Sequence, residues 1–292
     1  MKKALKWVVI IVGGLLGVLL VAVIILSAGT SRRMNKAYQI QAQAVAIPSD
    51  AAAVQAGERL VSIYCTGCHG VDLSGSEFFN DPAIGVINAA NLTTGRGGAG
   101  AVYTDADWVA AIRHGVAPDG RALMIMPSKD FYFLSDADLG QIIAYLKTMP
   151  PVDQSLEKPA VALPGRILMG LGAFGEVLSA ESIPHDAPRP AAVQPGVDAA
   201  YGAYLVQTFG CRTCHGPDLT GGQDPAPGAP PAPNLTTSGN LITWAEQDFI
   251  NVIRNRQSEW MPFEALRSMS DDELRAIWLY LQSLPEPEAS AN

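Results

Sequence analysis

The sequence is poor in cysteine and histidine, with only four of each in 292 residues. All four cysteines lie in two pairs with C-x-x-C spacing, at residues 65–68 and 211–214. A thioredoxin-like redox pair lies in a βαβ unit, and the sequence has no such pattern around either pair. A zinc site built from both pairs would leave unused the histidine that directly follows each one. Structural disulfides remain a third alternative.

Basic residues are scarce beyond residue 50. Residues 1–50 contain six basic residues and one acidic residue, whereas residues 51–292 contain fourteen basic and twenty-seven acidic residues. The larger part of the chain therefore has a net charge of −13, which argues against nucleic-acid binding. We expect protein partners that present basic docking faces, with an association that weakens as the salt concentration rises.

A long apolar run occurs at the N-terminus, over residues 7–28, after three lysines in residues 1–6. At 1.5 Å per residue it is long enough to cross a ~30 Å hydrocarbon layer. We predict a transmembrane anchor over 7–28, followed by a linker over 29–50. The alternative is a cleaved signal peptide, whose apolar core is normally about 7 to 15 residues long. Residues 27–29 would also make a poor cleavage site.

Histidine follows each cysteine pair directly, which gives the pentads CTGCH at residues 65–69 and CRTCH at residues 211–215. The C-x-x-C-H spacing is typical of c-type haem attachment. Two thiols three positions apart can reach the two vinyl groups of one porphyrin, and the next histidine then binds the iron. The sequence therefore predicts two covalently bound haem c groups. Their attachment residues are Cys65, Cys68, His69, Cys211, Cys214 and His215.

Haem attachment also predicts the orientation of the chain. The lysines before the apolar run are balanced by three basic residues soon after it, so charge alone does not decide the topology. Covalent haem attachment takes place outside the cytoplasmic membrane. We therefore expect residues 1–6 to be cytoplasmic and both haem domains to lie on the periplasmic side.

The segments around the pentads are repeated in the same order. Residues 57–61 match residues 202–206, and an Asn-Leu-Thr-Thr segment occurs at both 91–94 and 234–237. An internal duplication of this kind predicts two similar domains. We place domain 1 at 51–150, a linker at 151–195, domain 2 at 196–286 and a tail at 287–292.

Each domain is expected to begin with a short helix that leads into the pentad and a long loop that follows it. A further short helix is predicted at about 105–114 in domain 1 and at about 243–255 in domain 2. A closing helix then begins at Ser135 or Ser270, each with an acid three residues later as in a capping box. It should end at the prolines at 150 and 285.

The linker contains an apolar stretch, 165–180, that is a candidate helix. It is too short to cross the membrane and it contains Arg166 and Glu176. We expect it to pack against one of the domains.

A second axial ligand is needed on the far side of each haem, and a methionine sulfur is usual where the haem only transfers electrons. Met126 and Met261 each lie eight residues before the same position of the repeat, and each is followed by proline. Proline suits a stiff loop that holds a sulfur in place. We predict Met126 and Met261 as ligands. Methionines without a counterpart in the repeat are predicted to be packing residues, namely Met124, Met149 and Met269.

The remaining histidines and two arginines are further candidates for contact with the haems. His114 and His185 are the only histidines outside the pentads. The repeat partner of His114 is Asn255, so a histidine ligand shared by both domains is excluded. Arg113 and Arg254 occupy matched positions and are candidates for binding haem propionates. The alternative for both is an ordinary solvated helix arginine.

Pentad, Asn-Leu-Thr segment, methionine-proline pair and capped closing helix follow in an order that resembles a class I cytochrome c. The paired arrangement is similar to membrane-anchored dihaem cytochromes c and to the cytochrome subunits of periplasmic alcohol and sugar-acid dehydrogenases. This resemblance implies an all-α chain of two tandem class I cytochrome c domains behind an N-terminal transmembrane helix. It also implies that His69 pairs with Met126, and His215 with Met261, as axial ligands.

The function implied is electron transfer rather than catalysis, between a redox donor and a redox acceptor of a respiratory or photosynthetic chain, without a small-molecule substrate. One alternative is a permanently bound electron-transfer subunit of a dehydrogenase or oxidase complex. Another is a dihaem peroxidase, which would need one iron with an open or displaceable ligand and acid–base groups beside it. The methionine-proline pair in both domains argues against the peroxidase.

Overall fold

The computed structural model of the chain describes residues 2–223 and 228–285. The predicted tail at 287–292 lies outside the described residues. Helices dominate the structure, which confirms the all-α class. The described α-helices are α1 (Lys2–Met34), α2 (Ala51–Tyr64), α3 (Thr66–His69), α4 (Asp105–His114), α5 (Ser128–Phe131), α6 (Asp136–Leu146), α7 (Leu163–Gly170), α8 (Ala199–Thr208), α9 (Cys211–His215), α10 (Glu246–Asn255), α11 (Phe263–Arg267) and α12 (Asp271–Ser283). Short 3₁₀ helices lie at Ala99–Ala101, Ser179–Glu181 and Asn240–Thr243.

Small antiparallel sheets occupy the long loops in which no strand was predicted. The predicted domains 1 (51–150) and 2 (196–286) are called the first and second module below. In the first module β1 (Ser76–Asp81) pairs with β2 (Gly85–Ala89), and β2 also pairs with β3 (Ala160–Val161) from the linker. In the second module β4 (Gly222–Gln223) pairs with β5 (Pro231–Ala232). Each hairpin lies between the pentad and the Asn-Leu-Thr-Thr segment of its own module.

The helix α1 is long and apolar enough to cross a membrane. Every residue from 2 to 22 is exposed, as expected of side chains that face lipid rather than a protein core. The helix contains the predicted span 7–28 and extends past it on both sides. A signal sequence near the N-terminus has the same properties.

In the first module the helices α2 and α6 pack face to face. Asp50 caps α2 by accepting a hydrogen bond from the Ala53 backbone at 3.0 Å, and the Ser135 side chain caps α6 in the same way. The helix α6 ends at Leu146, four residues before the proline at which it was predicted to stop. The core between these helices is formed by Leu60, Val61, Leu139, Ile142, Ile143 and Leu146.

In the second module the helices α8 and α12 form the matching pair. Ser270 and Glu273 form the predicted capping box at the start of α12. The helix α10 begins at Glu246, three residues later than predicted, because Asn240–Thr243 forms a separate 3₁₀ turn. The core of this module contains Leu205, Val206, Leu274, Ile277, Trp278 and Leu281.

The segments on either side of the first module are packed rather than free. Side chains of 42–47 lie against its core, and the Asn91 side chain donates a hydrogen bond to the Val152 carbonyl at 2.8 Å. The linker does contain a helix, α7, although it is shorter than the apolar stretch 165–180. The helix packs on α1, and its start also lies against the first module, because a β-carbon at Gly165 would be 2.2 Å from the carbonyl oxygen of Ile84.

The two modules are in direct contact. An ion pair joins Arg59 of the first module to Glu273 of the second, with 2.6 Å between nitrogen and oxygen. Beside it, the hydroxyl groups of Tyr64 and Thr208 are 2.9 Å apart. Ile63, from the first module, is buried within the core of the second. The two modules therefore pack directly against each other, and Tyr64 contacts the cores of both.

Candidate haem sites

Each pentad lies on a single helical turn at the end of a longer helix. In the first module, Cys65 ends α2, and α3 carries the rest of the pentad. In the second, α9 begins at Cys211 directly after Gly210, which has the left-handed φ of 74° that allows the sharp turn from α8. A tight turn of this kind places both thiols of a pentad on the same side of the backbone, as attachment to one porphyrin requires.

A backbone carbonyl fixes the orientation of each pentad histidine. His69 donates from Nδ1 to the carbonyl of Ala90 at 2.7 Å, and His215 donates from Nδ1 to the carbonyl of Pro233 at 2.8 Å. A carbonyl only accepts hydrogen bonds, so Nδ1 carries the proton and Nε2 carries the lone pair. This is the usual arrangement of a metal-binding histidine, in which the second nitrogen orients the ring. Burial also lowers the pKa of His69, which favours the neutral form that binds metal.

A largely apolar cavity of about 330 Å³ lies next to the first pentad. Its walls include Cys65, Cys68 and His69 of the pentad and Met126 from the loop before α5. The remaining lining is mainly aliphatic and aromatic, including Tyr64, Leu92, Trp108, Ile112, Phe131, Leu134, Ile142 and Leu146. A cavity that combines two thiols, an imidazole, a thioether and apolar walls fits a covalently attached haem.

The thiols themselves are poorly suited to redox catalysis. Burial raises the pKa of both Cys65 and Cys211 to about 12, and it also raises the pKa of Cys68. A catalytic C-x-x-C pair needs a cysteine whose pKa is lowered, so that a thiolate is present at neutral pH. Within residues 2–223 and 228–285, no group of three or more His, Cys, Asp or Glu side chains is placed to hold a metal ion. These observations favour haem attachment over the redox and zinc alternatives.

The repeated Asn-Leu-Thr-Thr segment has the same structure in both modules. The Asn91 side-chain oxygen accepts hydrogen bonds from the backbone and hydroxyl of Thr93, at 2.9 and 2.8 Å. Asn234 does the same with Thr236, at 2.7 and 2.8 Å. The leucine between them then donates its backbone N–H to the loop after the pentad, in each module at 2.8 Å. These hydrogen bonds therefore join the Asn-Leu-Thr-Thr segment to the loop that follows the pentad.

A family model described as "Cytochrome C oxidase, cbb3-type, subunit III" matches the chain twice, over residues 52–146 and 197–281. The two matches contain the two pentads and cover more than half of the sequence. The chain belongs to this cytochrome c family. The family binds haem c covalently and serves in electron transfer. Attachment through the cysteines of both pentads remains the prediction that this match supports.

Several curated proteins are similar to the chain along most of its length. It is 29% identical to the cytochrome c subunit of alcohol dehydrogenase (quinone) from Gluconacetobacter polyoxogenes over 81% of the chain. It is also 29% identical to the gluconate 2-dehydrogenase cytochrome c subunit of Pantoea cypripedii over 77% of the chain. The fructose dehydrogenase cytochrome subunit of Gluconobacter japonicus is 25% identical over 76%. The matches cover 57%, 58% and 50% of these relatives, so the chain spans about half of their length.

The two methionine-proline loops of this cytochrome have the same geometry. The backbone carbonyl of Met126 accepts a hydrogen bond from Ser128 at 2.8 Å, and that of Met261 accepts one from Phe263 at 2.7 Å. Both prolines lead directly into a short helix, α5 or α11. Met126 packs on the core of the first module and Met261 on the core of the second. Their role as ligands remains a prediction, now placed on matching loops.

A second methionine also reaches the first cavity. Met124, predicted to be a packing residue, lines it together with Met126. Between them Ile125 has a φ of 64°, an uncommon value for a β-branched residue, and its N–H donates to the Val177 carbonyl at 2.7 Å. The second module has no methionine at the position that corresponds to Met124, so the two modules differ at this point.

The two matched arginines contact the closing helix of their own module. Arg113 is fully buried and donates to the Asp136 carboxylate and to the Leu134 carbonyl, both at 2.8 Å. Arg254 makes the equivalent bonds to Asp271 and to the Met269 carbonyl, both at 2.7 Å. Burial lowers the pKa of Arg113. These contacts stabilise the start of α6 and α12, and a role with haem propionates remains a prediction.

The two other histidines lie together, away from the pentads. His114 and His185 are 2.9 Å apart between their Nδ1 atoms, and neither lines the cavity beside the first pentad. Burial, with the cations Arg189 and Arg113 nearby, lowers the pKa of His114 to about 4. A neutral, buried His114 is therefore expected at neutral pH.

Two residues at the junction of the modules were missed by the sequence analysis. Tyr64 directly precedes the first pentad, and its ring lies 5.7 Å from the ring of Phe131 and 6.3 Å from that of Phe209. Asp130 is buried against the second pentad, with 3.3 Å between its carboxylate and the hydroxyl of Thr213. The position of Tyr64 next to Cys65 was a usable signal, whereas nothing in the sequence connects Asp130 with a pentad some eighty residues away.

Proposed function

We propose that the chain is a membrane-anchored dihaem cytochrome c that relays electrons between redox proteins on the outer face of the cytoplasmic membrane. The observation that supports this most directly is the duplicated site. Two pentads, two oriented histidines and two matching methionine-proline loops occur in modules that share an interface. Haem supplies reversible one-electron chemistry at iron, while the protein supplies ligands, apolar burial and docking surfaces.

The junction between the modules supports a relay rather than two separate carriers. Tyr64 packs against the cores of both modules, and it lies next to the first pentad. Phe209, which it contacts, is two residues before Cys211. Protein groups adjacent to the two predicted attachment sites thus pack against each other at the junction.

The experiment that tests the relay is a potentiometric titration of the intact protein with optical detection. We expect two one-electron transitions at positive but unequal potentials, and axial ligation by histidine and methionine in both haems. A single transition, or spectra of an iron without a sulfur ligand, would refute the dihaem relay. Rapid binding of carbon monoxide by the reduced native protein would favour the peroxidase alternative instead.

A fixed subunit of a dehydrogenase complex is the second form of this function. It is favoured by the relatives, which are named as cytochrome subunits of alcohol, gluconate and fructose dehydrogenases. Purification in mild detergent followed by native mass measurement distinguishes the two forms. A stable partner in fixed stoichiometry supports the subunit, and a cytochrome that elutes alone supports the mobile relay. In either form, we expect the partners to present basic docking faces to this acidic chain and to dissociate as the salt concentration rises.

A further inference from the structure

The helix α7 and the residues that follow it lie against the last turns of α1. The Thr30 hydroxyl, which is fully buried, donates to the Arg166 carbonyl at 2.8 Å. Gly170 packs so closely on α1 that a β-carbon there would be 3.4 Å from Cβ of Leu26. Farther along the linker, an ion pair of 2.6 Å joins Arg33 to Glu181. The linker therefore contacts α1 at three points along the helix, namely Leu26, Thr30 and Arg33.

These contacts establish the direction of α7. Arg166, near its start, reaches the Ser31 hydroxyl at 3.3 Å, whereas Gly170 at its end lies beside Leu26 and Thr30. The helix thus runs antiparallel to α1, and its C-terminal end points toward the apolar run 7–28. Leu26 lies within that run. The helix ends at Gly170, and the turn 171–174 follows it beside the apolar run.

The residues at that end are apolar and exposed. Leu171 has 65% of its surface exposed, Ala173 is exposed and Phe174 is half-buried. No charged residue occurs from 167 to 175, although Arg166 and Glu176 stand at either side. A partly buried stripe on α1 reaches down to Val23, which lies about 7.5 Å below Ala28 at 1.5 Å per residue. Interfacial segments bury their apolar side chains by about 5–10 Å, which is the same depth.

We propose that residues 167–175 insert into the outer leaflet beside α1 and bind the acyl-chain region of the lipid bilayer. The inference rests on the proposed membrane anchoring of α1. A neighbouring protein is the less favoured occupant, because the segment is aligned with the apolar run itself and is bracketed by charges at the level of the lipid headgroups. Arg32, Arg33 and Arg166 lie at that level, where arginine side chains reach the headgroup region.

The insertion would bring the first module, rather than the second, close to the membrane surface. Just after the segment, Val177 accepts the hydrogen bond from Ile125, and the Ser179 hydroxyl donates to the Met126 carbonyl at 2.8 Å. The loop that carries the predicted sulfur ligand of the first haem is therefore bonded to the segment in the membrane. A membrane-bound donor would meet the first module before the second.

The test uses the full-length holoprotein in nanodiscs made with a phospholipid that carries a photoreactive diazirine in its acyl chain. After illumination, labelled peptides are mapped by mass spectrometry. We expect label on residues 167–175 and on α1, and none on exposed apolar residues of the second module such as Val197 and Leu279. Label on α1 without label on 167–175 would overturn the inference and leave the anchor intact. Absence of label from both would overturn the anchor as well.

A variant separates insertion from chance proximity. Leu171→Glu should lose most of the label on 167–175 while α1 keeps its label, because a carboxylate is costly to place among acyl chains. Val197→Glu, a matched change of an exposed apolar residue, should leave both labels unchanged. Since Leu171 is largely exposed, its replacement should not disturb folding, and an unchanged haem spectrum verifies this. Equal labelling of wild type and Leu171→Glu would contradict the proposal.

Discussion

Two methionines lie two positions apart at the first haem site, and only one of them is predicted to bind the iron. Met126 and Met124 both line the cavity, but only Met126 has a counterpart in the second module. Its neighbour Pro127 and the Ser179 hydroxyl hold its backbone, as expected of a group whose position matters. Proximity to the cavity therefore does not distinguish the two methionines, whereas the repeat in the sequence does.

Met126→Leu should lower the potential of one haem and leave the other nearly unchanged, because a thioether sulfur ligand raises the potential of a haem. Met124→Leu, its matched control, should leave both transitions unchanged. Potentiometric titration of the two variants measures this directly. A shift produced by the control and not by Met126→Leu would move the assignment to Met124.

Asp130 is a residue whose charge state should alter stability within the accessible pH range. Burial raises its pKa to about 6, well above its ordinary value. Because the folded protein then binds the proton more tightly than the unfolded chain, the stabilisation present at about pH 4 is lost as the pH rises toward 6. Asp130→Asn should remove this loss and raise stability at pH 7 by about 1–3 kcal/mol.

Urea unfolding of wild type and Asp130→Asn at about pH 4 and pH 7 checks this expectation. The two proteins should differ at pH 7 and converge at pH 4. Curves with the same separation at both pH values would show that the pKa of Asp130 is not raised in the folded protein. The sequence offered no sign of this residue, because its burial results from the contact between modules.

At the scale of helices, one glycine in each module sets the distance between the two main helices. A β-carbon at Gly57 would lie 2.0 Å from the backbone oxygen of Gln141, and one at Gly202 would lie 1.9 Å from that of Ala276. Backbone oxygens cannot move aside without displacing a helix. The repeat in the sequence showed that these glycines match, but the reason is a close approach to helices more than seventy residues away.

Gly57→Ala should destabilise the first module and Gly202→Ala the second, each by about 1–3 kcal/mol or more, since overpacking displaces α2 from α6 or α8 from α12. The control is Gly29→Ala, because a β-carbon there meets nothing within 4 Å and the residue lies outside both modules. Thermal unfolding followed at the haem absorbance measures the effect. Destabilisation by the control as large as by the other two would refute the role of helix spacing.

The sequence predicted those elements whose signals are local. Ser270 and Glu273 are three residues apart, so their capping box was visible, and the apolar spacing of α12 showed its buried face. The hairpin β1–β2 was missed because its residues are half-exposed on both faces and lack a clear alternation. In α6 the expected capping box is replaced, because the Asp138 carboxylate binds the Tyr204 hydroxyl of the other module instead.

At the scale of the whole molecule, that same tyrosine joins the two modules. The Tyr204 hydroxyl donates to Asp138 and accepts a hydrogen bond from the Ser135 backbone at 3.0 Å. Partners so distant along the chain could not be paired from the sequence, which contained the duplication but not the way its halves dock. The sequence therefore predicted the number of modules but not the interface between them.

Tyr204→Phe should destabilise the docked pair by about 1–3 kcal/mol, because it leaves a backbone N–H and a carboxylate without their partner. Tyr145→Phe removes a hydroxyl elsewhere in the first module and serves as the control. Denaturant unfolding of both variants, monitored separately at haem and tryptophan, measures the difference. Equal stability of the two variants would show that the junction hydrogen bonds contribute nothing.

The central claim is that both thiol pairs of this cytochrome hold haem, and intact mass measurement of the mature protein tests it most directly. The account predicts a chain heavier by two haem groups, with one haem on the peptide containing residues 65–69 and one on that containing 211–215. A mass increase of one haem or none, or cysteines at 211 and 214 that react freely with an alkylating reagent, would contradict it.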